Sequence, residues 1–245
     1  MVGKSALITG GSRGIGLGIA TRLAELGYSL TITARTKETL DAVEPALRAA
    51  GAPRVVTVAA DLADRESADK IVAAHREHFD SMDALILNAG VGTAGSIADY
   101  PMRRFDKTLD VNLRAPFTLL QSSIPLLRAA AEKNPDKGAK VIALASLAGV
   151  YSEAGLGIYG ATKAAVLSLI DTLNSEESGN GVSGTSIAPG YVDTDMSDWT
   201  KDKIPADTMI QVADIVELAT SILNLSSRAV VPRIVVTRAG AGLGA

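Results

Sequence analysis

Short apolar runs of four to six residues alternate along the chain with longer stretches in which apolar positions recur every three or four residues. The first pattern predicts strands buried on both faces, and the second predicts helices with one buried stripe. Strands are expected near 6–9, 30–33, 55–59, 84–87, 141–145, 185–188 and 234–236, and helices near 15–26, 37–50, 65–78, 102–130, 159–174 and 212–225. Strict alternation of the two element types predicts α/β architecture, a doubly wound parallel sheet of seven strands in one domain spanning 1–245. The helix that starts near 159 runs into Ser175-Glu176-Glu177-Ser178-Gly179, polar enough to predict an early end. The stretch 191–207 has no clear periodicity, and a loop that long in a compact domain is usually functional or mobile.

Composition narrows the function. A formal charge of −3 over 245 residues leaves no broad positive field for nucleic acid. With no cysteine, disulfides, thiolate nucleophiles and cysteine metal sites are all excluded. The two histidines, His75 and His78, sit in a polar helical stretch and read as solvated, so no metal is expected. The opening residues form no apolar leader and no run of about 18 apolar residues occurs, which predicts a cytoplasmic protein without a membrane partner.

The chemistry begins at Thr9-Gly10-Gly11-Ser12-Arg13-Gly14-Ile15-Gly16, between the first strand and first helix. Glycines there permit positive φ and let backbone N–H groups and a helix N-terminus approach a diphosphate, as in Rossmann folds. A tight strand-to-helix turn without a ligand is the alternative. Tyr159 and Lys163, four apart, share one face of a predicted helix. A lysine ammonium there would favour the phenolate and bring a phenol of ordinary pKa about 10 toward acid/base work. Chance alone supplies such a pair in roughly one chain of this composition in five. Ser146 follows the fifth strand, at the sheet end where open α/β folds bind ligands, although a serine closing a strand at a turn explains it equally well.

In order along the chain, Thr9 to Gly16, Asp61-Leu62, Asn88-Ala89-Gly90, Asn112, Ser146, Tyr159-Gly160-Ala161-Thr162-Lys163, and Pro189-Gly190 with Thr194 resemble the short-chain dehydrogenases/reductases of the compact single-domain kind. That resemblance implies a hydride transfer between a nicotinamide and a carbonyl or secondary alcohol. Tyr159 would give the proton to the carbonyl oxygen and Ser146 would hydrogen-bond beside it. Lys163 would hold the nicotinamide ribose and lower the tyrosine pKa, and Asn112 would hold a relay water by bending its helix. Asp61 would lie near the adenine amino group, with an N-cap for the next helix as its alternative, and Asn88 would steady the central strand and the cofactor. Pro189, Gly190, Val192 and Thr194 would shape the loop over the carboxamide, while Gly10, Ser12, Gly14, Ile15, Gly16, Leu62, Ala89 and Gly90 would complete the cofactor cleft. The tail departs from the family's usual Asp-Gly-Gly, reading Thr237-Arg238-Ala239-Gly240.

NAD-selective members carry an acid at the end of the second strand, where it binds the adenosine ribose. Here Ala34 holds that place, followed by Arg35, and Arg13 stands in the glycine loop, so the expected cofactor is NADP(H). Leu147, Val150, Tyr151, Leu156, Tyr191, Met196 and Trp199 are candidates for an apolar pocket, and Glu153 reads as either a selector of cations or a solvated loop residue. The expected activity is that of a carbonyl reductase, with 3-oxoacyl thioesters as one substrate variant and a small carbonyl or alcohol as the partner. A homotetramer is expected, with a dimer second. A non-catalytic NADP(H) sensor or scaffold is the competing function, and a sugar-nucleotide epimerase is a third that usually needs an added domain.

Overall fold

The computed structural model describes residues 3–241. Its strands are β1 (Ser5–Thr9), β2 (Ser29–Ala34), β3 (Val55–Ala59), β4 (Ala84–Leu87), β5 (Ala139–Leu144), β6 (Val182–Pro189) and β7 (Arg233–Val236). The helices are α1 (Gly14–Glu25), α2 (Lys37–Ala49), α3 (Ser67–Arg76), α4 (Met102–Leu109), α5 (Ala115–Lys133), α6 (Gly157–Glu177) and α7 (Val212–Asn224). All strands pair in parallel, in the order β3-β2-β1-β4-β5-β6-β7.

Strand β1 shows why the apolar runs are unbroken. The period of two sends Ala6 and Ile8 to the core under α1, α2 and α7, and Leu7 to the core under α3, α5 and α6. Ile8 lies level with Ile32 of β2 on one side and Ile86 of β4 on the other, so central strands carry matched aliphatic layers. The order reverses between β1 and β4, and the C-terminal ends of these strands open the crevice where doubly wound sheets take ligands. Helix α1 stops cleanly because Gly27 adopts φ +77°, with its N–H donating to Ala24 O and the Tyr28 N–H donating to Leu23 O, a Schellman ending.

Four expectations are corrected. The predicted helix 102–130 is two α-helices joined by a π-helical turn at Asp110–Arg114, because the periodic pattern tolerates one surplus residue. The predicted helix 65–78 is shorter, Ser67–Arg76. Helix α6 does not end early. Glu177 is buried at its last turn and accepts two hydrogen bonds from Arg128, at 2.8 and 2.5 Å, so tertiary pairing carries the polar run as helix. His75 is not solvated but fully buried, with Nδ1 2.8 Å from Thr31 Oγ1 and Nε2 3.4 Å from Ser81 O. The stretch 191–207 holds two 3-10 segments, Asp195–Thr200 and Ala206–Thr208. In the tail, Gly242, Leu243, Gly244 and Ala245 lie outside the described residues.

Candidate active site

The ends of β1 and β4 are tied before any ligand is considered. The Thr9 hydroxyl donates to Ile86 O at 3.2 Å and accepts from the Asn88 and Ala89 N–H groups, both at 3.0 Å. Asn88 Nδ2 returns the tie, donating to Thr9 O at 2.9 Å and Gly10 O at 3.1 Å. Thr9 is part of the glycine motif in the sequence, with no role assigned there to its hydroxyl, although a threonine closing a strand directly before glycines is the available signal.

The glycine loop turns on that anchor. Gly10 (φ +65°) and Gly14 (φ +53°) use left-handed backbone, and a Cβ on Gly16 would stand 2.2 Å from Gly10 O, so α1 starts hard against the loop. No acid lies in the first turn of α1 and no side chain caps it, which leaves its leading N–H groups open to an anion. The arrangement fits a nucleotide diphosphate, with Ser12, Arg13, Gly14, Ile15 and Gly16 as the residues that would hold it. Ala34 ends β2, and Arg35 beside it is exposed and makes no ion pair among the described residues. Arg13 is less free, since its guanidinium donates to Asp195 Oδ2 at 2.9 Å. Asp61 is exposed and accepts from the Ala63 N–H at 3.0 Å, closing the turn after β3 without capping α3. The Leu62 side chain packs into the core, which leaves its backbone as the part available to a ligand.

Asn112 stands in the π-helical turn, buried, with both ends of its amide on the backbone of Val91. Oδ1 accepts from Val91 N at 2.8 Å and Nδ2 donates to Val91 O at 3.0 Å, with Thr162 Oγ1 at 3.3 Å. Its side chain is therefore spent as a clamp on the loop after β4. The wider π turn is what swings it inward, and such turns concentrate at functional sites. Gly90 is where three groups meet, as a Cβ there would lie 3.4 Å from both Asn112 Oδ1 and Lys163 Nζ.

Lys163 is buried and its ammonium donates to Leu144 O at 2.7 Å, 5.7 Å from the centre of the Tyr159 ring. Desolvation pulls its pKa down to about 8. Tyr159 is half-buried, and burial raises its phenol above the ordinary value, with the Ser146 hydroxyl opposing the shift and the Glu153 charge adding to it. The Lys163 ammonium donates to the Leu144 carbonyl and lies at the Tyr159 ring, so the influences on the phenol in this geometry are burial, Ser146 and Glu153. Ser146 accepts from the Ala148 N–H at 3.2 Å, so it also caps the short turn Leu147–Gly149.

The segment after β6 crosses this cleft. Pro189 ends β6, Gly190 N–H donates to Val236 O at 2.8 Å, and Val192 is buried and bridges Ile210. From there Thr194 covers Gly14, whose Cβ would meet Thr194 Cγ2 at 3.4 Å, and Met196 lies against Gly92 at 3.4 Å in the same sense. Tyr191 donates its hydroxyl to Glu153 Oε1 at 2.8 Å. One segment therefore touches the glycine loop, the loop after β4 and the loop after β5. A separate concavity of about 610 Å³, lined by Arg128, Asn180 and Gly181, lies by the start of β6, at the opposite end of the sheet from Tyr159.

The model of the family described as short chain dehydrogenase matches residues 4–204. The chain belongs to that family. Across 211 residues, 85% of this chain and 82% of the relative, it is 31% identical to a 3-oxoacyl-[acyl-carrier-protein] reductase of Staphylococcus aureus. A short chain dehydrogenase from Burkholderia cenocepacia in complex with NADP superposes with a TM-score of 0.84 at 31% identity, covering 99% of this chain and 98% of that one. A 3-oxoacyl-[acyl-carrier protein] reductase from Brucella melitensis in complex with NAD reaches 0.85 at 25% identity, covering 97% and 96%. This short-chain dehydrogenase is accordingly an oxidoreductase of a family that uses nicotinamide cofactors and small-molecule substrates. Among the described residues no helix is long and apolar enough to cross a membrane.

Proposed function

We propose that this short-chain dehydrogenase is an NADP(H)-dependent reductase of carbonyls, reversible toward secondary alcohols, with Tyr159 as its acid/base and Ser146, Lys163 and Asn112 as its partners. The observation that carries the reading is the meeting of Lys163 Nζ and Asn112 Oδ1 at Gly90, beneath Tyr159 and next to an open glycine loop. A sensor needs the loop alone and gains nothing from a buried lysine. The cofactor preference rests on Ala34 and the free guanidinium of Arg35. Gly90, Ala89, Asn88, Pro189, Gly190, Val192 and Thr194 would enclose the nicotinamide end, and Asp61 with Leu62 the adenine end.

The nicotinamide, when bound, supplies the hydride. Tyr159 gives its phenolic proton to the carbonyl oxygen while Ser146 donates a hydrogen bond to the same oxygen, so the product is an alcohol and a phenolate. Burial has raised the phenol, which keeps the proton in place until negative charge develops on the substrate oxygen. Lys163, whose ammonium is itself destabilised by burial, then gains an anion to face. A cytoplasmic homotetramer is the proposed setting, and the half-exposed Phe117 on α5 offers an apolar point of contact between copies.

The test is loss of NADPH absorbance across ketones, diketones, quinones and 3-oxoacyl thioesters, followed by Tyr159→Phe on the best substrate. Turnover is expected to fall by about a hundredfold or more with NADPH binding nearly intact. Wild-type turnover in the variant overturns the mechanism.

A further inference from the structure

Above Tyr159 the cleft has a polarity that the chemistry of hydride transfer does not require. Glu153 lies between Ser146 and the start of α6, close enough for its charge to act on the Tyr159 phenol. One carboxylate oxygen accepts from Tyr191, and no lysine, arginine or histidine pairs with Glu153 among the described residues. Tyr191 in turn stacks edge-on with Trp199, ring centres 6.2 Å apart, and Trp199 is 60% exposed. An aromatic pair with one ring exposed, beside a carboxylate, offers two complementary attractions to an ammonium group, the charge itself and the negative ring face.

The surrounding charges agree. The segments that border the cleft, 92–101, 147–158 and 191–207, carry seven acids (Asp99, Glu153, Asp193, Asp195, Asp198, Asp202, Asp207) against two bases (Lys201, Lys203). Asp195 is taken by Arg13, and Asp193 and Asp198 by Lys201; of the four acids left, Glu153 is the one whose charge acts on the reacting tyrosine. Arg238 acts on Tyr191 from a distance and forms no ion pair among the described residues.

We propose that Glu153, together with the Tyr191 and Trp199 rings, selects carbonyl or alcohol substrates that bear a cationic ammonium group beyond the reacting carbon. The inference rests on the oxidoreductase reading above. Trp199 is the single tryptophan of the chain and reports on its own surroundings by fluorescence. With oxidised cofactor bound, choline and its neutral isostere 3,3-dimethylbutan-1-ol are titrated against that signal. Choline is expected to bind about tenfold more tightly, the combined scale of an exposed ion pair and a cation–π contact. In Glu153→Gln, which still accepts the Tyr191 hydrogen bond, the ratio falls to about threefold, the part that the two rings supply alone. In Tyr191→Phe, which breaks the bond but keeps the carboxylate, a preference for the cation persists. Equal binding of the two alcohols by wild type overturns the proposal, as does an unchanged ratio in Glu153→Gln. Collapse of the ratio in Tyr191→Phe to the level of Glu153→Gln assigns Glu153 a latching role and overturns it as well. The aldehyde pair, (trimethylammonio)acetaldehyde and 3,3-dimethylbutanal, separates the two readings. Faster reduction of the neutral member by wild type refutes cation selection alone, whereas no reduction of any carbonyl refutes the oxidoreductase reading and leaves cation binding to the fluorescence result.

Discussion

His75 offers a stability prediction whose size follows from its surroundings. The imidazole, on α3, is fully buried against β1 and β2. Ser81 O can only accept, so Nε2 carries the hydrogen and Nδ1 accepts from the Thr31 hydroxyl. A second proton would have to enter on Nδ1, against Thr31 and without water. Burial accordingly lowers the pKa from 6.5 to about 4, with the Ser81 carbonyl opposing and the His78 charge assisting. The unfolded chain therefore binds a proton between pH 6.5 and 4 that the folded chain refuses, and stability falls as pH falls through that window. A shift of that size corresponds to about 3 kcal/mol once the pH reaches 4. His75→Gln keeps a donor for Ser81 and an acceptor for Thr31 but cannot titrate. Urea unfolding followed by circular dichroism, at one protein concentration and several pH values from 7.5 to 4, gives the free energy of both proteins. Their difference cancels every other titrating group. It is expected to move by about 3 kcal/mol in favour of the variant as the pH drops, and a difference that stays flat refutes the buried neutral imidazole.

Two further outcomes are expected. Arg35→Ala should weaken NADPH by roughly 1.5–3 kcal/mol, the scale of a hydrogen bond to a charged group, and hardly touch NADH, so kcat/KM with both cofactors decides the preference. Equal use of both by wild type, or equal losses in the variant, contradicts it. Light scattering at micromolar concentration should return a tetramer mass or, failing that, a dimer, and a monomer mass rejects the proposed assembly.

How much of this was legible in the sequence depended on the distance between cause and effect. Strands such as β1 and β4 were legible because burial on both faces leaves an unbroken apolar run. The glycine loop was legible because its constraints are local, down to the clash that forbids a side chain at Gly16. His75 was misread because its neighbours along the chain are polar, while what buries it comes from Ser5 and Thr31, 70 and 44 residues away. The end of α6 was misread for the same reason, since Arg128 lies 49 residues from Glu177. The partnership of Tyr191 with Glu153 joins two loops with no shared pattern, and the direction of Lys163 toward a main-chain carbonyl has no sequence signal at all.

The π-helical turn at Asp110–Arg114 also works as a phase shifter. One residue beyond the α repeat turns everything upstream by about 100° relative to everything downstream. Helix α4, with Thr108 as its one buried residue, and α5, with a long buried stripe from Ala115 to Ala131, are thereby set out of step along a common axis. Removing a single residue between 110 and 114 would restore regular helix and yet rotate the α4 face and Asn112 away from the β4 loop together. At this place the chain's residue count, and not only the identity of its side chains, holds the site in shape.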